Sequence, residues 1–62
     1  MLAELTSMKL LWVDWNGFAI PQLVYNGDLG SIEPRDIIAE HDIPTAERGL
    51  EMCSLMNKYP AP

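Results

Sequence analysis

A chain of 62 residues is expected to be one domain or a fragment that needs a partner, and 48% hydrophobic side chains, 21% charged and nine glycines and prolines together suit folding rather than disorder. At this size only about 60% of the unfolded surface is buried on folding, so the core is small and oligomerisation or a partner is the expected support. Four basic against nine acidic residues give a net charge of −5, which opposes attraction to a phosphate backbone.

Residue counts exclude other supports. A single cysteine, Cys53, forbids an intrachain disulfide, and with one histidine, His41, a Cys/His zinc site cannot be assembled, so no metal or cofactor is expected. No apolar run approaches the roughly 18 residues of a membrane span. The first residues hold Glu4 but no basic side chain before Lys9, where a signal peptide carries positive charge. The expectation is a cytoplasmic chain without a membrane segment, starting at either Met1 or Met8.

Residues 1–7 are expected to be a helical turn or a frayed end, and residues 9–31 to be rich in β-structure. Leu10 to Trp15, then Asn16-Gly17, then Phe18-Ala19-Ile20, is the signature of a two-residue type I′ hairpin. Pairing across that turn sets Trp15 opposite Phe18 and Val13 opposite Ile20. Leu11, Val13, Trp15, Phe18 and Ile20 then share the predicted core face. A second Asn-Gly, at Asn26-Gly27, lies between Leu23-Val24-Tyr25 and Asp28-Leu29 and predicts a second turn and a three-stranded antiparallel meander. Pro21 cannot donate to a ladder, so a bulge or bend is expected there, or only two properly paired strands. The competing reading is a helix within residues 2–15, because Leu5, Met8, Trp12 and Trp15 recur at helical spacing. The Trp-Val content and the Asn-Gly turns favour strand.

From Ile32 the pattern of residues 33–59 reads as helical. Glu33 as N-cap, Pro34 at the first helical position and Ile32 stapled to Ile37 predict a short helix over 34–41. Ile43-Pro44 interrupts it, and Asp42 or Thr45 caps a second helix that runs to Tyr59 and stops at Pro60-Ala61-Pro62. On that helix Ala46, Leu50, Cys53 and Met56 form a stripe for the sheet, with Gly49 permitting close approach. Met52, Leu55 and Tyr59 form a second stripe on nearly the opposite side, left for the first helix, a second copy or a partner. The fold class is α+β: an N-terminal β-hairpin or three-stranded antiparallel meander packed on two short C-terminal helices, in a single domain of residues 1–62.

Few residues suggest chemistry. Glu40-His41-Asp42 is a compact set, but nothing else supplies the converging groups that a metal or acid/base site needs, and a histidine near a helix C-terminus suits the helix dipole. Cys53 reads as a small buried hydrophobe without a neighbour to activate it. The Asn26 to Ser31 run has glycines but lacks the lysine of a phosphate loop, and Asp28 would repel phosphate. No catalytic or metal residue is assigned, and the chain is expected not to be an enzyme.

The acidic residues are concentrated. Glu33, Asp36, Glu40, Asp42, Glu47 and Glu51 stand against only Arg35 and Arg48, a net −4 within residues 33–51. Glu33, Asp36 and Glu40 would line one helix face, and Glu47 and Glu51 are a like-charged i, i+4 pair. Such a field keeps a chain soluble, and it also speeds association with basic surfaces. The expected function is therefore a small acidic non-enzymatic interaction module docking on a basic or apolar surface of a larger protein. The expected docking set is Glu33, Asp36, Glu40, Glu47 and Glu51, with the stripe of Met52, Leu55 and Tyr59. Inhibitor or adaptor is the role that suits it, of the kind bacteriophages carry against host enzymes, in the limit by imitating the phosphate spacing of nucleic acid. Two alternatives stay open. Residues 34–59 are loosely similar to a DNA-binding helix-turn-helix, although the turn lacks the usual glycine and the second helix offers Glu47 and Glu51 where DNA readers carry basic and amide groups. The other is a structural subunit that self-associates, as a homodimer, through the second stripe.

Overall fold

The first ordered element is the strand β1, Met8–Trp15, which turns at Asn16-Gly17 into β2, Phe18–Tyr25. These elements belong to a computed structural model that describes residues 7–62; the expectation for residues 1–7 therefore lies, except at Ser7, outside the described residues. Asn16 and Gly17 both have positive φ, 52° and 84°, as a type I′ turn requires. The register follows from the two-residue loop: Trp15 pairs with Phe18, Val13 with Ile20 and Met8 with Tyr25. The helical alternative for residues 2–15 fails over its described part, because β1 is a strand throughout.

The second Asn-Gly turn also forms, with φ of 56° at Asn26 and 75° at Gly27, and the Asp28 N–H donates to the Tyr25 carbonyl at 3.0 Å. Asn26 also ties the turn to the start of β1, accepting from the Ser7 N–H through Oδ1 at 3.0 Å while its own N–H donates to the Ser7 carbonyl at 2.8 Å. No strand follows directly. The chain runs back through residues 26–36 to β3, Ile37–Asp42, which pairs antiparallel with the other edge of β1. The sheet order is thus β2-β1-β3, with β1 central, and it is not a meander.

That order accounts for Pro21. The pair flanking a two-residue hairpin loop exchanges hydrogen bonds, so alternation along β1 puts Trp12 and Pro21 at a non-hydrogen-bonded position. The amide position of Pro21 faces the open edge, where no donor is needed, and the register passes through it unbroken. The expected irregularity lies instead across β1, between Trp12 and Val13, where Ile38 is the extra residue on β3.

The helical reading of residues 33–59 needs correction. Glu33 does precede Pro34 at a helix start, but only as a 3-10 turn, Pro34–Asp36, with no side-chain cap. Residues predicted to finish a helix at 41 form β3 instead. An isolated helix of that length is marginal, whereas β1 offers an unpaired edge and Ile37-Ile38 are β-branched. The second predicted helix is shortened to a 3-10 turn, Thr45–Glu47, and a seven-residue α1, Met52–Lys58. Gly49 and the repulsion between Glu47 and Glu51 disfavour a continuous helix, by about 1 kcal/mol for the glycine alone. The architecture is a three-stranded antiparallel sheet with one helix and short 3-10 turns, α+β in character.

The core lies between α1 and one face of the sheet. Met8, Leu10, Trp12, Ile43 and Leu55 are its buried members, and Ala19, Leu23, Ala39, Met52, Met56 and Tyr59 pack against them. Each fully buried large side chain contributes about 1.5–3 kcal/mol. This is the face opposite to the predicted one: Leu10 and Trp12 face the helix, while Leu11, Val13, Trp15, Phe18 and Ile20 share the other side. Leu11 and Val24 on that second side are still buried. A central strand with one face under α1 and the other partly under the return segment accounts for the unbroken Leu10-Leu11-Trp12-Val13 run.

The helix stripes are likewise largely exchanged, although Met56 of the stripe predicted for the sheet does pack against the core. Leu55 is fully buried and Met52 and Tyr59 pack beside it, whereas Cys53 and Leu50 are exposed. The predicted outward stripe is the inward one, because the sheet meets it on the side that Leu10 and Trp12 occupy. Among the described residues, no helix is long and apolar enough to cross a membrane.

Candidate protein-docking surface

Strand lengths create an overhang at the hairpin end. An eight-residue strand spans about 27 Å, whereas a seven-residue helix spans only about 10 Å, so α1 cannot cover the sheet along its full length. On the second face the return segment brings Ser31, Ile32, Glu33 and Asp36 beside Val13, Trp15, Ile20 and Gln22. These residues, with Asp14, line an open cleft of about 480 Å³. Trp15, which belongs to that lining, is 63% exposed, and its cross-strand partner Phe18 is 65% exposed.

An exposed cross-strand pair of large aromatics is unusual for a chain with so little core to spare, because both rings could otherwise have contributed to burial. The carboxylates beside them are Glu33 and Asp36; alternation along β1 assigns Asp14 to the helix side of the sheet. The segment that carries them is pinned locally. Asp28 Oδ1 accepts from the Gly30 N–H at 3.1 Å, the Ile32 N–H donates to the Leu29 carbonyl at 3.0 Å, and the Asp36 N–H donates to the Glu33 carbonyl at 2.9 Å.

The other predicted docking residues are distributed elsewhere. Glu40 and Asp42 lie at the far end of the same face and are met by Lys9, at 3.3 and 3.8 Å. Glu47 lies on the helix side, where its Oε1 accepts from the Tyr59 hydroxyl at 2.6 Å and its Oε2 is 3.4 Å from Lys58 Nζ. The Tyr59 hydrogen bond, with Lys58 adding to it, holds the Glu47 carboxyl below its ordinary value, and the same bond pushes the Tyr59 hydroxyl up. Glu51 precedes α1 without a side-chain cap. The acids therefore do not form one row, and Glu33, Asp36 and Glu40 share no helix face. Leu55 is a buried core member and the half-buried Met52 and Tyr59 pack against that core, so the three do not form an outward-facing stripe.

Tyr59 fastens the end of α1 to the sheet. Its carbonyl accepts from Trp12 Nε1 at 2.9 Å, and its ring stands 5.4 Å from that of His41, tilted by 32°. His41 is thus a β3 residue against the core rather than a helix-terminal one, with Nε2 buried and unpartnered. Cys53 is exposed, and its Sγ lies 3.8 Å from a Glu51 carboxylate oxygen. Among the described residues no group of three or more His, Cys, Asp or Glu side chains is placed to hold a metal ion.

Sequence reasoning missed Trp15 and Phe18 as surface residues because it gave the hydrophobic face of the hairpin to the core. The signal that both faces of β1 were apolar was present in Leu10-Leu11-Trp12-Val13. Comparison with protein-family models, curated proteins and solved structures returns no match to this chain.

Proposed function

We propose that this chain is a small acidic, non-enzymatic interaction module, an inhibitor or adaptor, that docks on a basic surface of a larger protein in the cytoplasm. The observation that carries this reading is the exposed Trp15–Phe18 pair beside a cleft edged by Glu33 and Asp36. Aromatic anchors surrounded by complementary charge are how compact interfaces obtain most of their affinity and their steering. Both sheet edges are poorly suited to strand addition, β2 by Pro21 and β3 by its bulge and by Glu40 and Asp42, so side chains rather than backbone make the contact. The helix-turn-helix reading loses its geometry, since residues 37–42 are a strand.

The test is capture of a partner from the native host by the wild-type chain, by Trp15→Ala/Phe18→Ala and by Glu33→Lys/Asp36→Lys. Loss of one and the same captured protein in both variants, and its release as salt rises to about 0.5 M, supports the reading. Capture that survives both double substitutions overturns it.

A further inference from the structure

We infer that the cleft at the hairpin end receives an arginine side chain of the partner, its guanidinium lying on the Trp15 ring between the Glu33 and Asp36 carboxylates. This deepens the docking reading and rests on it. The cleft, about 480 Å³, is of the size that takes a single side chain with its neighbours, and its walls divide by chemistry. Val13, Ile20 and Ile32 supply apolar walls for an aliphatic stem, Trp15 supplies an exposed π face, and Glu33 and Asp36 supply negative charge. No lysine or arginine lines it. Among the described ion pairs, Lys9 meets Glu40 and Asp42 and Lys58 meets Glu47, while the exposed Arg35, between Glu33 and Asp36 in the chain, is paired with neither, so both cleft carboxylates are open to an incoming cation.

Charge complementarity selects the occupant. A second copy of the chain would bring its own net charge of −5 and, in a two-fold contact, the same carboxylates against these. A phosphate-bearing ligand is repelled outright. A cation is favoured, and arginine above lysine, because its planar guanidinium stacks on an indole and bonds carboxylates bidentately while remaining weakly hydrated.

The structure supplies its own control for the test. Trp12 is 3% exposed with its indole N–H bonded to the Tyr59 carbonyl, whereas Trp15 is 63% exposed, so two indole N–H resonances report the core and the cleft separately. The probe is an acetylated, amidated leucyl-arginyl-leucine tripeptide, compared with its citrulline counterpart, which keeps the shape and loses the charge. The expected result is a shift of the Trp15 indole resonance with a dissociation constant of about 1 mM, weakened about tenfold or more by citrulline. Glu33→Gln/Asp36→Asn abolishes the shift while the Trp12 resonance stays in place, which shows that the variant is folded. Equal binding of the citrulline peptide, or no movement of Trp15 at about ten times that concentration, overturns the inference. If the tripeptide fails while a captured partner still requires Trp15, the arginine assignment falls and the docking reading stands. If capture is also indifferent to Trp15, both fall.

Discussion

Leu55→Ala separates the two arrangements that the C-terminal helix could have adopted. If Leu55 lay on an outward stripe, truncation would weaken a dimer or a partner and leave the monomer's stability unchanged. In the structure Leu55 has no exposure and sits between Leu10, Trp12 and Ile43, so truncation leaves a cavity that a sheet on one side and a short helix on the other cannot close. The cost of such a change is about 2–5 kcal/mol. Against a total of roughly 3–9 kcal/mol for a domain of this length, it removes a large fraction of the stability. An unfolding entropy of about 2.1 cal/mol/K per residue makes a loss of about 3 kcal/mol a fall in Tm of about 20 °C. The assay is thermal unfolding by far-ultraviolet circular dichroism at two protein concentrations. Cys53→Ala, on the exposed side of the same helix, serves as comparison and is expected to change stability by less than about 0.5 kcal/mol. A Leu55→Ala fall of under about 5 °C, or a loss that appears only as concentration-dependent dissociation, would refute the packing of α1 described above.

Three further outcomes follow from single contacts. Gly17→Val forces a β-branched residue to φ 84° and is expected to lower stability by about 1–2 kcal/mol or more, read from the urea midpoint. Trp12→Phe removes the indole donor from the Tyr59 carbonyl and should cost about 1–3 kcal/mol, with faster amide exchange in the last turn of α1 as its local signature. The Glu47–Tyr59 link makes stability pH-dependent at both ends. A lowered carboxyl stabilises fully above its ordinary 4.5, and that contribution is lost as pH falls through the lowered value. A raised hydroxyl stabilises fully below its ordinary 10.0, and that contribution is lost as pH rises through the raised value. Glu47→Gln should therefore fall below the wild type at neutral pH and converge with it in acid, as urea midpoints across the range would show; a constant difference down through the acid range contradicts the assignment.

Local features were legible where a few adjacent residues suffice. Asn16-Gly17 and Asn26-Gly27 specify their turns because positive φ at two successive positions admits few other residues, and the first turn then sets the register from Trp15–Phe18 onward. The charge of the chain and the lack of a second cysteine or histidine were likewise plain in the sequence. What only the tertiary structure decided was which edges and faces meet. Ile37 to Asp42 carries helical signals at its start, yet becomes a strand because β1 has a free edge that only the folded hairpin presents. Leu10 and Leu11 are equally apolar and both buried, so composition could not say which face takes the helix; that choice inverted the stripes of α1 and left Trp15 and Phe18 outside. The physical reason is range. Turn geometry is fixed by backbone sterics within a few residues, whereas the choice of face is a small difference between two large burial energies, settled by where the return segment and α1 come to rest.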